Sequence, residues 1–346
     1  MKSDFLRNIL GDKGIGDGGF YFGDTTSPAD ADIVIVSAPW SVTSDYGRGA
    51  TYTPDAVIDA SAEKNLYDTV ADVSVAGRVA TAEIDYNIQE SSEHLGREAE
   101  RIAHQYLGEK GFVGEYVAKK VAHINEGFSE MQVSIYKQTK HWASQGKRIA
   151  VVGGDHSVAF GAVKALAEVN DGLGVLFIDA HADFLRSGEE FNYSHRSIAR
   201  NIVEEVSSIE RLVEVGVRDI VKEEIDELRA TEKVELFLAE KLAAKRFEGE
   251  SWGNICREVV GKLPQKVYVS LDIDALKIEF CGNTNAPVPG GMTFDEVVYL
   301  INTVVESGRE IVGFDISEVV SSINNKMDAI VATQLLAKMC VAMLRK

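Results

Sequence analysis

Histidine and aspartate residues recur at short spacings in three places, each directly after an apolar run. The stretch GGDHS follows the run 149–152, DAHAD follows 175–178, and DID follows 267–271. The candidate ligands in these stretches are His156, Asp179, His181, Asp183, Asp272 and Asp274. Imidazole nitrogens and carboxylate oxygens are common side-chain ligands of divalent metals. The pattern therefore predicts a metal site that three apolar segments bring together.

The spacing within these stretches has a physical meaning. Side chains alternate in direction along a strand, so Asp179, His181 and Asp183 would face one way if the strand continued through them. Asp272 and Asp274 repeat that spacing. Carboxylates in such numbers repel one another unless cations neutralise them, and two divalent ions about 3.5–4 Å apart would do so by sharing carboxylates. An oxygen-rich set with few imidazoles favours manganese over zinc.

The elements that position these residues form a repeating pattern. Stretches of helical spacing lie between several short apolar runs, for example from Val158 to Val169 and from Phe294 to Val305. Alternation of this kind predicts a doubly wound α/β fold, with a mostly parallel sheet and helices on both faces. Ligands of such sheets bind at the carboxyl ends of the strands. The predicted strands are Ile33–Val36, Ile149–Val152, Val175–Ile178, Leu212–Val217, Val267–Leu271 and Ile311–Phe314.

We expect one catalytic domain over residues 1–346. Residues 1–30 are predicted to be a flexible lead-in, and the glycine-rich stretch 11–19 lacks the preceding strand and the lysine of a phosphate-binding loop. Residues 91–127 have helical spacing but supply no predicted ligand of the metal site. We interpret them as a helical insertion that serves surface packing, an oligomer contact or a lid. The histidines in or near this stretch are expected at the surface: His94, His104, His123 and His141.

Composition excludes several classes of function. The formal net charge of -18 argues against nucleic-acid and anionic-membrane partners, because an acidic body repels phosphate. Three cysteines without a CxxC pattern fit a reducing compartment. The first twenty or so residues do not resemble a secretory signal, and no apolar run approaches the ~20 residues of a membrane span. We therefore expect a cytoplasmic enzyme.

The motifs, taken together, resemble those of the ureohydrolase family, which includes arginase and agmatinase. GGDHS, DAHAD and SLDIDA occur in the family's order, and the resemblance runs from about Ile33 to the C-terminus, outside the helical insertion. Further matching segments are RGATYTPDAVIDAS (48–61), YSHRSIAR (193–200), VGVRD (215–219), PVPGGMT (287–293) and DISEV (315–319). One motif departs from the family, because Ala275 follows Asp274 where many members continue with a further aspartate and proline.

The resemblance implies roles for individual residues. His156, Asp179, Asp183 and Asp272 would hold one metal, and His181, Asp179, Asp272 and Asp274 would hold the other. Glu318 resembles the carboxylate that receives the guanidinium, although a salt bridge with Arg218 or Arg309 is an alternative role. His195 resembles the family's proton-shuttling histidine, and Asp183 would pass a proton to the leaving amine. The reaction expected is attack on a guanidinium by a hydroxide that the two metals generate, giving an amine and urea.

The expected substrate is a small cationic guanidino compound. Arginases typically place a polar amide near position 185 to hold the amino-acid carboxylate, and Leu185 cannot do this. Together with YSHRS, this ranks agmatine, which gives putrescine and urea, above arginine. Because Arg186 and Arg196 lie nearby, guanidino acids and formiminoglutamate remain alternatives. The family resemblance also implies a homo-oligomer, a trimer or a hexamer.

Two readings from other classes compete with this one. A zinc amide hydrolase of the same general fold, such as a deacetylase, needs one metal and fewer ligands. A non-catalytic assembly protein would need no intact ligand set. The complete second set of ligands argues against both, and metal content and urea release would discriminate among the three.

Overall fold

The computed structural model describes residues 19–44, 49–62, 64, 66–108, 111–112, 114–186, 191–321 and 326–345. Within these ranges, eight parallel strands form one central sheet, in the spatial order β10-β9-β8-β11-β12-β7-β1-β4. The strands of this sheet are β1 (Ile33–Ala38), β4 (Val79–Thr81), β7 (Arg148–Gly153), β8 (Leu173–Ile178), β9 (Arg211–Val215), β10 (Val234–Phe237), β11 (Lys266–Asp272) and β12 (Glu310–Ser317). Two short antiparallel hairpins lie outside it, β2–β3 (Tyr67–Asp68, Val73–Ser74) and β5–β6 (Leu107–Gly108, Gly111–Phe112).

Helices connect the parallel strands and cover both faces of the sheet. Successive residues of β1 show the two faces, because Ile33 packs into one apolar core and Val34 into the other. The first core contains buried residues of α1 (Thr53–Ser61), α7 (Ala239–Phe247), α8 (Trp252–Val260), α9 (Phe294–Glu306) and α10 (Met327–Leu344). The second contains buried residues of α2 (Tyr86–Tyr106), α3 (Glu115–Ala143), α4 (Ala159–Ala167), α5 (Ile198–Glu205) and α6 (Lys222–Ala230). The predicted parallel α/β fold with three layers is confirmed.

The predicted strands all lie in this sheet, and two described strands of the sheet, β4 and β10, were not predicted. Val79–Thr81 has three residues, and Val234–Phe237 is only partly buried along its whole length. Both lie at the edges of the sheet. Edge strands bury less apolar surface, so their sequences lack the continuous β-branched run that marks a central strand.

Parts of the predicted lead-in, residues 1–30, and of the predicted helical insertion, residues 91–127, lie within the described residues. Residues 1–18 of the predicted lead-in lie outside the described residues, whereas Tyr21 and Phe22 are buried. The Tyr21 hydroxyl lies 3.0 Å from Ser37 Oγ on β1, and the Phe22 amide donates to Ser61 Oγ. Residues 91–127 cover most of α2, the β5–β6 hairpin and the first half of α3.

One helix in the described part of the chain, α10, is long and apolar enough to cross a membrane by composition. Within the fold, however, 72% of its 18 residues are buried. Its apolar side chains fill the first core, where Leu335 and Leu336 are fully enclosed. Packing inside the domain therefore accounts for its composition.

Candidate metal centre

The turn after β7 places His156 at the carboxyl edge of the sheet. Gly154 lies against the backbone of Trp40, and a Cβ at Gly154 would come within 1.7 Å of the Trp40 carbonyl oxygen. Only glycine tolerates so close an approach. Asp155 then caps a 3-10 turn by accepting from the Ser157 amide, and its other oxygen accepts from the Val42 amide. Asp155 thus holds the turn that carries His156 and makes no contact of its own with the imidazole.

The contacts of His156 leave one of its nitrogens as a ligand atom. Ser270 Oγ lies 2.9 Å from His156 Nε2 and donates its hydrogen to Asp315 Oδ1. Since the single hydroxyl hydrogen is used there, Nε2 carries the proton and Nδ1 presents a lone pair. The ring stacks on Phe177 with the centroids 4.4 Å apart, which fixes its plane.

Three carboxylates surround His156 Nδ1. It lies 2.9 Å from Asp179 Oδ2, 3.2 Å from Asp183 Oδ2 and 3.6 Å from Asp272 Oδ2. Nδ1 and Asp179 Oδ2 are both buried, and neither has an aligned hydrogen-bond partner among the described residues. Buried polar atoms without a partner are costly, whereas an ion placed between them would use both. These residues therefore suit one metal ion.

A second group of ligands lies beside the first. His181 Nδ1 is 3.0 Å from Asp274 Oδ2 and 3.5 Å from Asp179 Oδ1. Asp179 therefore offers one oxygen to each group, as a bridging ligand must. The three ligand atoms of this group lie within 4.8 Å of one another.

The local backbone differs from the continued strand that the spacing suggested. β8 ends at Ile178, and Asp179 Oδ1 accepts from the amide of His181, two residues later. Asp272 Oδ1 accepts from the amide of Asp274 in the same way. Both motifs are turns closed by their first aspartate. Asp183 has a left-handed backbone with φ of 48°, which is rare for a residue with a side chain and is concentrated at functional sites.

The negative charge of the buried carboxylates in this cluster favours bound cations. Burial, together with the nearby Asp179, raises the pKa of Asp183 to about 7. Burial and Asp274 raise the pKa of Asp272 well above its usual range. Burial would also raise the pKa of Asp179, but the imidazoles of His156 and His181 lower it. Protonation of the two histidines would offset only part of the negative charge of the four carboxylates, whereas two divalent ions would offset it fully.

Glu318 lies at the wall of the same cleft, which has a volume of about 690 Å³. Its carboxylate accepts from the His156 amide at 3.0 Å and from Asn285 Nδ2 at 2.5 Å. Burial and the neighbouring Asp155 raise its pKa well above the usual range. Its backbone is left-handed, with φ of 60°. These contacts aim a buried carboxylate at the cleft, and neither Arg218 nor Arg309 is its partner in the contacts observed.

His195 also lines the cleft, at the start of a 3-10 turn. Its Nδ1 lies 3.0 Å from Thr43 Oγ1, which orients the ring. The structure thus brings all the predicted site residues to one cleft edge, apart from His156 and Asp179, which lie beneath it.

Sequence reasoning missed the residues that hold this arrangement. Arg218 donates to the carbonyl oxygens of Asp274, Val288 and Pro289, at 2.7, 3.0 and 3.2 Å. It therefore fastens the loop that carries Asn285 to the second ligand group. Arg218 lies in the VGVRD segment, so a signal existed, but the pattern carried no role for it.

The mouth of the cleft carries charges of both signs. Asp219, Glu224 and Arg196 line it, together with the apolar Leu185. Glu224 is held by the amides of Phe184 and Val221, whereas the Asp219 side chain is 68% exposed. Asp219 can therefore offer an exposed carboxylate to a cationic group at the mouth.

Comparison with known proteins identifies the family. The sequence model of the Arginase family matches residues 31–342. An N(1)-aminopropylagmatine ureohydrolase of Thermus thermophilus is 27% identical over 300 residues, 86% of each chain. An agmatinase of Pyrococcus horikoshii is 25% identical over 313 residues, which are 90% of this chain and 92% of the relative.

A solved structure shares the fold over almost the whole length. The agmatine ureohydrolase of Thermoplasma volcanium superimposes with a TM-score of 0.69 at 22% identity, covering 99% of this chain and 98% of the other. The family match, the fold and the paired ligand groups agree, and they confirm the resemblance read from the sequence. The chain belongs to the arginase family, the ureohydrolases, and is a hydrolase that acts on C–N bonds of amidino compounds.

Proposed function

We propose that this enzyme hydrolyses agmatine to putrescine and urea. The observation that carries the proposal is the pair of ligand groups that share Asp179, set in one cleft with the buried carboxylate of Glu318. A guanidinium is planar and cationic, so a carboxylate can fix its orientation through paired hydrogen bonds. The exposed carboxylate of Asp219 at the mouth can receive the second ammonium group of a guanidino-amine.

The proposed cofactors are two manganese ions per chain, in a centre that other divalent metals can also occupy. His156, Asp179, Asp183 and Asp272 would hold the first ion, and His181, Asp179, Asp272 and Asp274 would hold the second. When bound, the pair acidifies water at neutral pH and offsets negative charge that develops on the substrate. The oxygen-rich donor set supports manganese rather than zinc.

Three residues act on the substrate and its protons. Glu318 binds the guanidinium and holds its carbon toward the ligand cluster, so that attack starts from the correct geometry. Asp183, which lies in the cleft, passes a proton to the nitrogen of the leaving amine. His195, whose Nδ1 lies against Thr43, exchanges protons with solvent through Nε2.

N(1)-aminopropylagmatine is the second candidate substrate. Its extra aminopropyl group adds positive charge beyond the guanidinium, and the mouth offers the exposed carboxylate of Asp219. The Thermus thermophilus relative bears the name of this substrate. Arginine and other guanidino acids, as well as formiminoglutamate, rank lower because Leu185 cannot bind a carboxylate, although Arg196 also lines the mouth.

A panel of the guanidino compounds, assayed for urea release with manganese, tests the proposal, and formiminoglutamate is assayed for formamide release instead. We expect kcat/KM for agmatine to exceed that for arginine, because specificity is a ratio of these constants. Faster turnover of arginine would overturn the substrate ranking and leave the family assignment intact. One zinc per chain in the active enzyme, rather than two manganese, would overturn the proposed centre.

The proposed setting follows from the same chemistry. An enzyme that forms putrescine serves polyamine metabolism. Buried cysteines without disulfide partners, Cys256, Cys281 and Cys340, are compatible with the reducing cytoplasm. We also propose a homo-oligomer, a trimer or a hexamer, which light scattering of the purified protein would test.

A further inference from the structure

A second group of metal-binding side chains lies between α2 and α3, among residues that the proposed reaction does not use. His94 and Glu98 are one turn apart on α2, and His123 approaches them from α3. One ligand atom from each lies within 4.8 Å of the other two. The two imidazole rings meet edge to face, with centroids 6.4 Å apart. Two nitrogens and one carboxylate oxygen thus converge from two helices.

Glu98 is the most buried of the three side chains. Its side chain is only 12% exposed, and Oε1 accepts from Lys120 Nζ at 2.5 Å. Its other oxygen, Oε2, is buried and lacks a hydrogen-bond partner in the described part of the chain. A carboxylate oxygen in that state loses its hydration without compensation. The pair with Lys120 therefore satisfies only half of this carboxylate.

The surroundings favour a cation. His94 and His123 line a groove of about 390 Å³, whose acidic lining residues are Glu90, Glu126 and Glu130. Glu126 Oε2 lies 3.8 Å from His123 Nδ1. Lys120 is the cation already paired with Glu98, but one ammonium group does not engage the imidazoles. The ion pairs that the two imidazoles make are long, 4.0 Å from His94 Nε2 to Glu98 Oε1 and 3.8 Å from His123 Nδ1 to Glu126 Oε2, whereas a metal ion would bind both rings directly.

We propose that His94, Glu98 and His123 form a second metal site, which binds Zn²⁺ and ties α2 to α3. Two imidazoles and one carboxylate, with a fourth position left for water, suit zinc in a tetrahedral arrangement. The same donors suit manganese poorly, since it prefers oxygen. The site is separate from the catalytic centre, because none of its three ligands lines the catalytic cleft. An ion there would stabilise a helix pair that otherwise relies on the packing of residues such as Leu95 and Ile124.

The test is zinc binding to the manganese-loaded enzyme at neutral pH, measured as zinc retained per chain in a metal-buffered titration. The key variant carries His94→Asn and His123→Asn; both side chains are more than half exposed, so the fold should persist. We expect the wild type to bind one more zinc than this variant. The affinity of the double variant for that zinc should be more than about tenfold lower than that of the wild type, because the loss of even a partner of a metal ligand costs that much. Zinc that enters the catalytic centre is common to both proteins and cancels.

Two further variants sharpen the result. His141→Asn removes an exposed histidine of the same helix α3 outside the cluster, so zinc binding should not change. Lys120→Met removes the competing cation and should tighten zinc binding by roughly fivefold, the equivalent of one exposed ion pair. Equal zinc binding by the wild type and the double variant would overturn the proposal, as would weaker binding by Lys120→Met. Urea release should be the same in all four proteins, which separates this test from that of the proposed function.

Discussion

The metal-ligand cluster and the wall of the cleft are built in different ways. The candidate ligands follow β7, β8 and β11 within a few residues of each strand's end. The wall is assembled from loops that are far apart in sequence. Thr43 meets His195 across 152 positions, and Asn285 meets Glu318 across 33. Local sequence thus carries the candidate ligands, whereas long-range contacts orient the residues of the wall.

This difference predicts how substitutions act. Changing a ligand should remove metal and activity together, because each ion depends on a few donor atoms. Changing a wall residue should alter substrate binding or proton transfer and leave the metals in place.

Asp179→Asn and Asp272→Asn should abolish metal binding and activity together. Each carboxylate is proposed to bridge both ions, and an amide cannot supply the lost charge. The expected fall in kcat/KM is at least about a thousandfold, since metal stabilisation of the transition state is worth several kcal/mol. Metal content and urea release, measured on the same samples, check this.

Asp68→Asn is the matched control. Asp68 is also buried, but it pairs with Lys338 at 2.6 Å, away from the cleft. This variant should lose stability and keep both metals. Retention of two metals and near-normal turnover in either ligand variant would contradict the assignment of the bridges.

Glu318→Gln and His195→Asn test the wall side and should leave both ions bound. Glu318→Gln removes the charge that faces the guanidinium; a lost buried charge partner costs about 3–5 kcal/mol, so kcat/KM should fall by several hundredfold or more. His195→Asn should lower kcat with a smaller change in KM, since only proton transfer is impaired. Added imidazole should partly restore its rate.

Metal content and melting temperature distinguish a catalytic role of Glu318 and His195 from a purely structural one. If both residues were structural, loss of activity would follow loss of metal or of stability. Full activity of the Glu318 variant would contradict its role as the guanidinium anchor.

The sequence predicted the sheet and the ligands for a physical reason. Central parallel strands are buried on both faces and read as continuous apolar runs, so their ends could be located along with the residues that follow them. The edge strands β4 and β10 lack that pattern. The left-handed backbones at Asp183 and Glu318 were not predictable, since the surrounding fold imposes them on residue types that rarely adopt them.

Ser270 is the residue that best shows the limit of local sequence. It lies inside β11 and reaches His156 across 114 positions, and nothing in the run KVYVSLD marks it as functional. Its hydroxyl links His156 Nε2 to Asp315 and so leaves Nδ1 for a metal.

Ser270→Ala should weaken metal binding by about 10–100-fold, the usual cost of losing a partner of a metal-ligating histidine. Activity should recover at high manganese, because the ligands themselves remain. The control is Ser37→Ala, a buried serine of β1 that contacts Tyr21. An unchanged manganese affinity in Ser270→Ala, or an equal loss in Ser37→Ala, would contradict the role assigned to Ser270.

The stability that manganese confers should shrink as pH falls from about 8 to 5. In the protein from which a chelator has removed the metal, the pKa of Asp183 is raised from 3.8 to about 7. The folded state therefore binds a proton at Asp183 more tightly than the unfolded state does. Protonation of Asp183 therefore stabilises the metal-free protein as pH falls through 7. The metal-loaded protein needs the ligands deprotonated and loses affinity over the same range. Melting temperatures with manganese and with chelator should converge, and a constant difference would contradict the prediction.

The smallest effect is expected at the mouth of the cleft. Asp219 is largely exposed, and an exposed ion pair contributes about 1 kcal/mol or less. Asp219→Asn should therefore raise KM for agmatine by less than about fivefold and leave kcat unchanged. Asp226→Asn changes an exposed acid on α6 that does not line the cleft, and it should leave KM unchanged. If the distal ammonium binds at the mouth, high salt should shrink the difference between the Asp219 variant and the wild type, because salt screens exposed charges. A fall in kcat with KM unchanged would instead place Asp219 among the residues that organise the ligands, through its neighbour His181, and would move it from the wall to the metal centre.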